Sequence, residues 1–215
     1  MRDISLVFVT VLGGLGVFLL GMKHLSEGLQ AVAGRELRRF MALATTHRMA
    51  GVGTGIISTI LVQSSSIISV MLVGVVSSGL MTLQQAINEI IGANIGTTAT
   101  VWIVAFAPDP QVIGLVGLGL GGMLYFFFRR ESVHNLGLAI LGLGLVFLGM
   151  YFMSKGVMPI RQNPDIQAAF ARLGATTLSD VALVALASAI FTAIVQSSAA
   201  SIAIGMTLEI GRAHV

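Results

Sequence analysis

Apolar residues run through this chain in stretches longer than one face of a soluble helix requires. Between positions 4 and 22 the only polar side chains are Ser5 and Thr10, which predicts a first membrane span over 4–22. Leu25, Leu29, Val32, Leu37, Phe40 and Met41 then recur at helical spacing, with Arg35, Arg38 and Arg39 on the other side. That pattern predicts an amphipathic helix over 25–44, lying in the interface plane or serving as a packed connector. The stretch 51–79 is apolar but interrupted by Gln63-Ser64-Ser65-Ser66. It reads either as one long span or as two half-helices in a re-entrant hairpin. Each half would have about 13 residues, near 20 Å, against a hydrocarbon core of ~30 Å. A further apolar segment, 83–107, carries Asn88, Glu89 and the run Gly92-Ala93-Asn94-Ile95-Gly96-Thr97-Thr98. Pro108-Asp109-Pro110 is a turn, and 111–128 a plain span closed by Arg129-Arg130-Glu131. A polar connector with Pro159, Asn163-Pro164 and Asp165 leads to a second hairpin from about 179.

The interruption occurs twice. Gln196-Ser197-Ser198-Ala199 follows Thr192-Ala193-Ile194-Val195, as Gln63-Ser64-Ser65-Ser66 follows Thr59-Ile60-Leu61-Val62. Adjacent neutral polar side chains are costly in hydrocarbon unless each finds a partner. The doubling belongs to a longer internal repeat. Leu15-Gly16, Leu20-Gly21-Met22, Ser26 and Gly28 match Leu143-Gly144, Leu148-Gly149-Met150, Ser154 and Gly156, each 128 positions on. Gln63 and Gln196 lie 133 positions apart, so the second half gained a few residues between the two features. The second repeat begins near residue 136.

Composition sharpens the class. The chain is 55% hydrophobic and 10% charged, where a soluble domain carries roughly 25% charge. Its mean hydropathy is +0.94. The expected fold is all-α: a polytopic membrane protein with inverted repeats and re-entrant helical hairpins. The 26 glycines fit close packing of membrane helices. The absence of cysteine excludes disulfides and thiol chemistry. A net charge of +3 places basic residues in loops and does not point to nucleic acid. The first span is too long for a signal-peptide core, and it has a copy later in the chain. If 51–79 dips in and returns, the first repeat has three full crossings and the second is inverted. Lys23, Arg35, Arg38, Arg39, Arg48, Arg129 and Arg130 then share one side, and Arg2, Lys155, Arg161 and Arg172 the other. The richer side is expected to be cytoplasmic.

A helix ending near Val62 aims carbonyls into the gap, and one starting near Ser66 aims N–H groups into it. Carbonyls and hydroxyls suit a small hard cation; N–H groups, hydroxyls and the glutamine amide suit an oxyanion. Discontinuous membrane helices hold substrate and coupling ion in this way at the interface of inverted repeats. The bland alternative is that the hydroxyls bond carbonyls one turn back or link helices. Gly92 and Gly96 form a Gly-x-x-x-Gly, commonly a packing face. Gly117-x-Gly119-x-x-Gly122 matches a dinucleotide fingerprint but lies in a span, outside any strand–turn–helix unit. Gly92 to Thr98 lacks the lysine of a phosphate loop. The histidines at 24, 47 and 134 flank the spans, so no base stands beside the serines and an enzyme is not expected. Glu89 is the one carboxylate far inside an apolar segment; it binds a cation or proton, or lies at the segment's polar edge.

Taken together, Gly21-Met22-Lys23, Ser26-Glu27-Gly28-Leu29, Gln63-Ser64-Ser65-Ser66, Gly79-Leu80-Met81-Thr82, Gly92 to Thr98, Gly149-Met150, Ser154 and Gln196-Ser197-Ser198 resemble the sodium–phosphate cotransporter family. These are the type II sodium-dependent phosphate symporters and their bacterial relatives, and the likeness covers most of residues 12–208. The resemblance implies a secondary active transporter, performing sodium-coupled symport of inorganic phosphate across the inner (cytoplasmic) membrane. Its expected partners are phosphate, co-transported sodium ions and the bilayer. By carry-over, Gln63, Ser64, Ser65, Ser66, Gln196, Ser197 and Ser198 bind substrate, with Asn94, Thr97 and Thr98 as second choices. Gln63, Ser64, Gln196, Ser197, Thr97 and Thr98 are the implied sodium ligands. Ala199 departs from the usual third serine. The alternatives are a symporter of another small anion or solute on the same scaffold, or a channel or regulatory membrane subunit. The resemblance divides the chain into a first repeat, 1–130, and a partial second repeat, 131–208. The family's second repeat continues to another Gly-Ala-Asn-Ile-Gly-Thr-Thr-like segment. Residues 209–215, Glu209-Ile210-Gly211-Arg212-Ala213-His214-Val215, read like translated sequencing adapter. A truncated gene fragment that does not itself transport is therefore the expectation.

Overall fold

The computed structural model describes residues 2–43, 47–107, 109–161, 177–195 and 197–209, and every element among them is a helix. In chain order these are α1 (Arg2–Leu43), α2 (Arg48–Val62), α3 (Ser65–Ser77), α4 (Leu83–Gly96), α5 (Ala99–Ala105), α6 (Pro110–Phe127), α7 (Glu131–Arg161), α8 (Leu178–Val195) and α9 (Ser198–Glu209). Four apolar stretches have the length and composition to cross a membrane: Ser5–Val32, Pro110–Phe127, Glu131–Pro159 and Leu178–Val195. Large apolar side chains such as Phe8, Leu120, Phe126, Leu186 and Ile194 are exposed, as lipid-facing residues of a multi-pass protein are.

The frame of the molecule is the antiparallel pair α1 and α7. Gly14, Gly21 and Gly28 fall seven apart, two turns each, and so line one face of α1. Gly142, Gly149 and Gly156 do the same on α7. Gly14 lies against Gly149 and Met153, Gly21 against Gly142 and Val146, and Gly28 against Asn135 and Ala139. Contacts running down one helix and up the other mean opposite chain directions, with backbones close enough for dispersion contacts along the whole seam. Phe18, Val146, Phe147, Met150 and Met153 fill its centre, joined by Ala200 and Ala203 of α9. On its other side α7 carries α6, where Gly117 meets Gly144 and Gly121 meets Leu141. Of the dinucleotide-like glycines, Gly117 is thus a packing position inside a helix, while Gly119 and Gly122 meet no neighbour.

The expected separate helix over 25–44 does not form. The backbone of α1 continues without a break from Arg2 to Leu43. Leu25 is buried and Gly28 abuts α7, so α1 packs on α7 at 25–28. Its spacing satisfied both readings; the glycine seam opposite favours the packed one there.

The interrupted stretch divides where its polar residues stand, into α2 and α3 with 15 and 13 residues. A register argument gives their directions. Gly51 faces Asn88, Gly55 faces Glu89 and Ala93, and Gly96 faces Ile56 and Thr59, so α2 and α4 run parallel and side by side. The chain leaving α2 at Val62 must therefore travel back before α4 starts, and α3 makes that return. Gly79, at φ 73°, turns the corner into Met81, which is buried. Thr82 then caps α4, its hydroxyl accepting the Gln85 N–H while the Gln85 side chain accepts the Thr82 N–H. Val62, Ile68, Leu72, Met81, Ala86 and Ala93 close the space between the three helices. The segment expected over 83–107 is likewise broken, at Thr97-Thr98 between α4 and α5. The second hairpin, α8 and α9, differs from the first, since α8 at 18 residues reaches the length of a full crossing. The Asn163-Pro164 connector and the 210–215 tail lie outside the described residues.

Candidate functional site: two capped helix breaks

The first break turns on a single left-handed residue. Gln63 has φ 56° and ψ 22°, and its N–H donates to the Thr59 carbonyl at 2.7 Å. Its side-chain amide reaches back to the Ile60 carbonyl at 2.5 Å. Ser64 is extended, with φ −150°, and its hydroxyl accepts the Ile67 N–H at 3.3 Å, capping α3. The carbonyl end of α2 is not left open. Ser26 of α1 donates its hydroxyl to the Val62 carbonyl at 2.6 Å, and Gln30 donates to that same serine oxygen at 2.6 Å. Ser26 and Gln30 are the functional-site neighbours that reading the sequence missed. Ser26 entered only as a repeat match and as part of the family resemblance, and its distance of 36 residues from Val62 gave no local signal.

Gly96 packs on Thr59, so the break between α4 and α5 stands within about one turn of the break after Val62. Thr97 and Thr98 are therefore level with Gln63 and Ser64, although both hydroxyls donate to their own helix, to Ala93 and Ile95 carbonyls at 3.0 and 2.7 Å. Asn94 is exposed and lies on the far side of α4 from Gly96, away from α2. Ser65 is half-buried and Ser66 exposed.

The second break repeats the first atom for atom at its cap. Ser197, 133 positions after Ser64, accepts the Ala200 N–H at 3.2 Å, as Ser64 accepts the Ile67 N–H. A hydroxyl chain then crosses the gap: Thr192 donates to Ser201 at 2.8 Å, and Ser201 to the Ser197 carbonyl at 3.0 Å. The first half cannot copy this chain, because Ile68 stands at the position equivalent to Ser201. Thr59, the counterpart of Thr192, consequently has a buried hydroxyl without a partner. Ser198 is exposed and lines a shallow pocket with Ser188, Ala189 and Thr192. Gln196 lies outside the described residues.

Both breaks are brought against α1. The first is tied to Ser26, and α9 at the second shares the apolar cluster of Phe18 and Met22. Eight residues separate Phe18 from Ser26, about 12 Å along the helix. Each break ends in the first, unbonded N–H groups of a helix, at Ser65 and Ser66 and at Ser198 and Ala199, where an anion is favoured. Ser64 and Ser197 each spend one lone pair on the cap and keep a donor hydrogen and a second lone pair.

Comparison of the sequence with known proteins gives a family. Residues 17–155 match the family described as Na+/Pi-cotransporter. A Bacillus subtilis protein without an assigned role, YqeW, is 30% identical over 152 residues, covering 69% of this chain and 48% of the relative. YjbB of Escherichia coli O157:H7, whose name provisionally assigns it to inorganic phosphate export, is 28% identical over 94% of this chain and 36% of its own length. The human sodium-dependent phosphate transport protein 2B is 38% identical over 127 residues, 58% of this chain and 18% of that protein. The chain therefore spans at most about half the length of these relatives. No solved structure matches it.

Proposed function

The chain belongs to the Na+/Pi-cotransporter family, and from that premise we propose that it forms part of a secondary transporter coupling inorganic phosphate to sodium across the cytoplasmic (inner) membrane. The observation that carries the proposal is the matched pair of serine-capped breaks, at Ser64 and Ser197, both held against α1. Residues 1–130 and 131–208 act as two repeats of opposite orientation, a reading supported by the antiparallel course of α1 and α7.

Phosphate oxygens accept from the N–H groups of Ser65, Ser66, Ser198 and Ala199 and from the capping hydroxyls of Ser64 and Ser197. Gln63, Gln196, Thr97 and Thr98 complete the wall, and sodium takes the remaining hydroxyl and amide oxygens. With Val62, Ile60 and Thr59 carbonyls already bonded, side-chain oxygens carry more of the sodium site than the helix end does. No arginine is required, because the metal ions neutralise the anion. An inside-negative potential opposes phosphate entry by ~2.3 kcal/mol per charge per 100 mV, and inward sodium offsets it.

The second reading is sodium-coupled or independent efflux, favoured by the export role in the name of YjbB. The full-length parent in proteoliposomes separates the two. Uptake driven by an inward sodium gradient and lost with potassium supports entry by symport; equal fluxes in both salts remove sodium coupling. Gln63→Ala is expected to lower the sodium-driven flux at least tenfold while the protein still inserts.

A further inference from the structure

We propose a second cation site, distinct from the serine breaks, in which Glu89 of α4 and Thr54 and Ser58 of α2 hold one sodium-sized monovalent ion. Glu89 is completely buried, one oxygen of its carboxylate contacts the Thr54 hydroxyl at 3.2 Å, and the other has no partner. Ion pairs among the described residues join Glu27 to Lys23 and His24, and none reaches Glu89. The elements packed against it offer little charge: α3 has no titratable residue, α4 has no other, and α2 carries only Arg48 at its start, after His47. A buried carboxylate without a countercharge is strongly disfavoured, so the site calls for a positive guest.

The neighbouring hydroxyls point the same way. Thr54 has one hydrogen and three acceptors: the Gly51 carbonyl at 2.8 Å, the Ala50 carbonyl at 3.1 Å and Glu89 at 3.2 Å. Satisfying the shortest of these turns an oxygen lone pair toward the carboxylate, a repulsive pairing that a bound cation or a proton on the carboxylate relieves. Several hydroxyls in these helices return their hydrogen to a carbonyl one turn back, as at Thr10, Ser69, Thr97 and Thr207, though Thr59 has no partner. Ser58 has none either; its hydroxyl is fully buried and unbonded. Ser58 lies four residues beyond Thr54, so the two oxygens stand one above the other on one face, roughly 5–6 Å apart at Cβ. Two carboxylate and two hydroxyl oxygens form a donor set suited to a small hard cation. The walls are backbone at closest approach, since a Cβ on Gly55 would collide with the Glu89 carbonyl and one on Gly92 with the Val52 carbonyl. Backbones this close leave no room for an organic guest.

The test is thermal unfolding of the intact chain in nanodiscs without phosphate, comparing sodium with choline at matched ionic strength. Sodium is expected to raise the midpoint of the wild type. Glu89→Gln, which keeps the shape and the Thr54 contact, is expected to cut that shift at least twofold, any remainder reporting sodium at the serine breaks, and Thr54→Val to raise the half-saturating sodium at least tenfold. Acid is expected to mimic Glu89→Gln, because a proton occupies the carboxylate. An identical sodium shift in Glu89→Gln overturns the site, as does a midpoint that responds to pH and not to sodium. If Glu89→Gln does not fold, Glu89→Asp serves, with unchanged half-saturation counting against the proposal. The readout needs neither phosphate nor flux, so a parent that fails to move phosphate leaves this result standing, and the reverse also holds.

Discussion

Gln63 holds a left-handed backbone that side-chain-bearing residues adopt at a cost of roughly 1–2 kcal/mol. That cost separates two roles. Gln63→Gly relieves the strain while losing the bond to the Ile60 carbonyl, so its unfolding midpoint is expected to change little. Its sodium-driven flux in the parent is expected to fall as far as that of Gln63→Ala, because both lack the amide. Retained flux in the glycine variant would assign Gln63 a purely structural role. Ser26→Ala tests the partner across the helix interface. It strips the Val62 carbonyl of its donor and leaves Gln30 3.5 Å from that oxygen, too long for a strong replacement. A loss of about 1–3 kcal/mol is expected in denaturant unfolding. The sequence made Ser64 and Ser197 visible because adjacent polar residues interrupt an apolar run at both places, after matching flanks. Their capping geometry and the Ser26 and Gln30 partners were not visible, because a hydrogen bond across 36 residues leaves no periodic trace.

The short helices are held by backbone approach more than by side-chain volume. Gly55→Ala or Gly92→Ala places a methyl group on a carbonyl of the facing helix, so α2 and α4 must separate. Each is expected to cost 3 kcal/mol or more, at the upper end of about 1–3 kcal/mol for overpacking. Gly53→Ala is the control: its Cβ meets nothing within 4 Å, and a gain of about 1 kcal/mol from helix propensity is expected. Denaturant titration of the three variants side by side checks the contrast. At this scale the Gly92–Gly96 spacing had already announced a packing face. The 25–44 helix left its environment open, because its apolar spacing fits an interface or a protein neighbour equally well; Gly142 against Leu25, and Asn135 and Ala139 against Gly28, favour the packed alternative for its first turn.

Across the whole molecule, the consequential question is whether α2 and α3 enter and leave on one side. The parallel run of α2 and α4, with α3 returning between them, puts Met49 and Leu80 at the same end of the hairpin. The chain has no cysteine, so single introduced cysteines report without background. Met49→Cys and Leu80→Cys, both exposed positions, are expected to react with a membrane-impermeant maleimide from the same face of oriented vesicles. Labelling from opposite faces would turn the hairpin into a crossing and remove the inversion of the repeats.

The sequence alone determined the all-helical membrane class and the helix breaks at the two polar runs, because hydropathy and helix termination are local properties of the chain; it did not give the break after Gly96 or the continuity of α1. Tertiary structure decided what the breaks do. It set α2 beside α4 in parallel, closed the Val62 carbonyl with Ser26, and left Glu89 and Ser58 buried without countercharge or acceptor. Those outcomes depend on which backbones approach within glycine distance, and that selection is made between segments far apart in sequence.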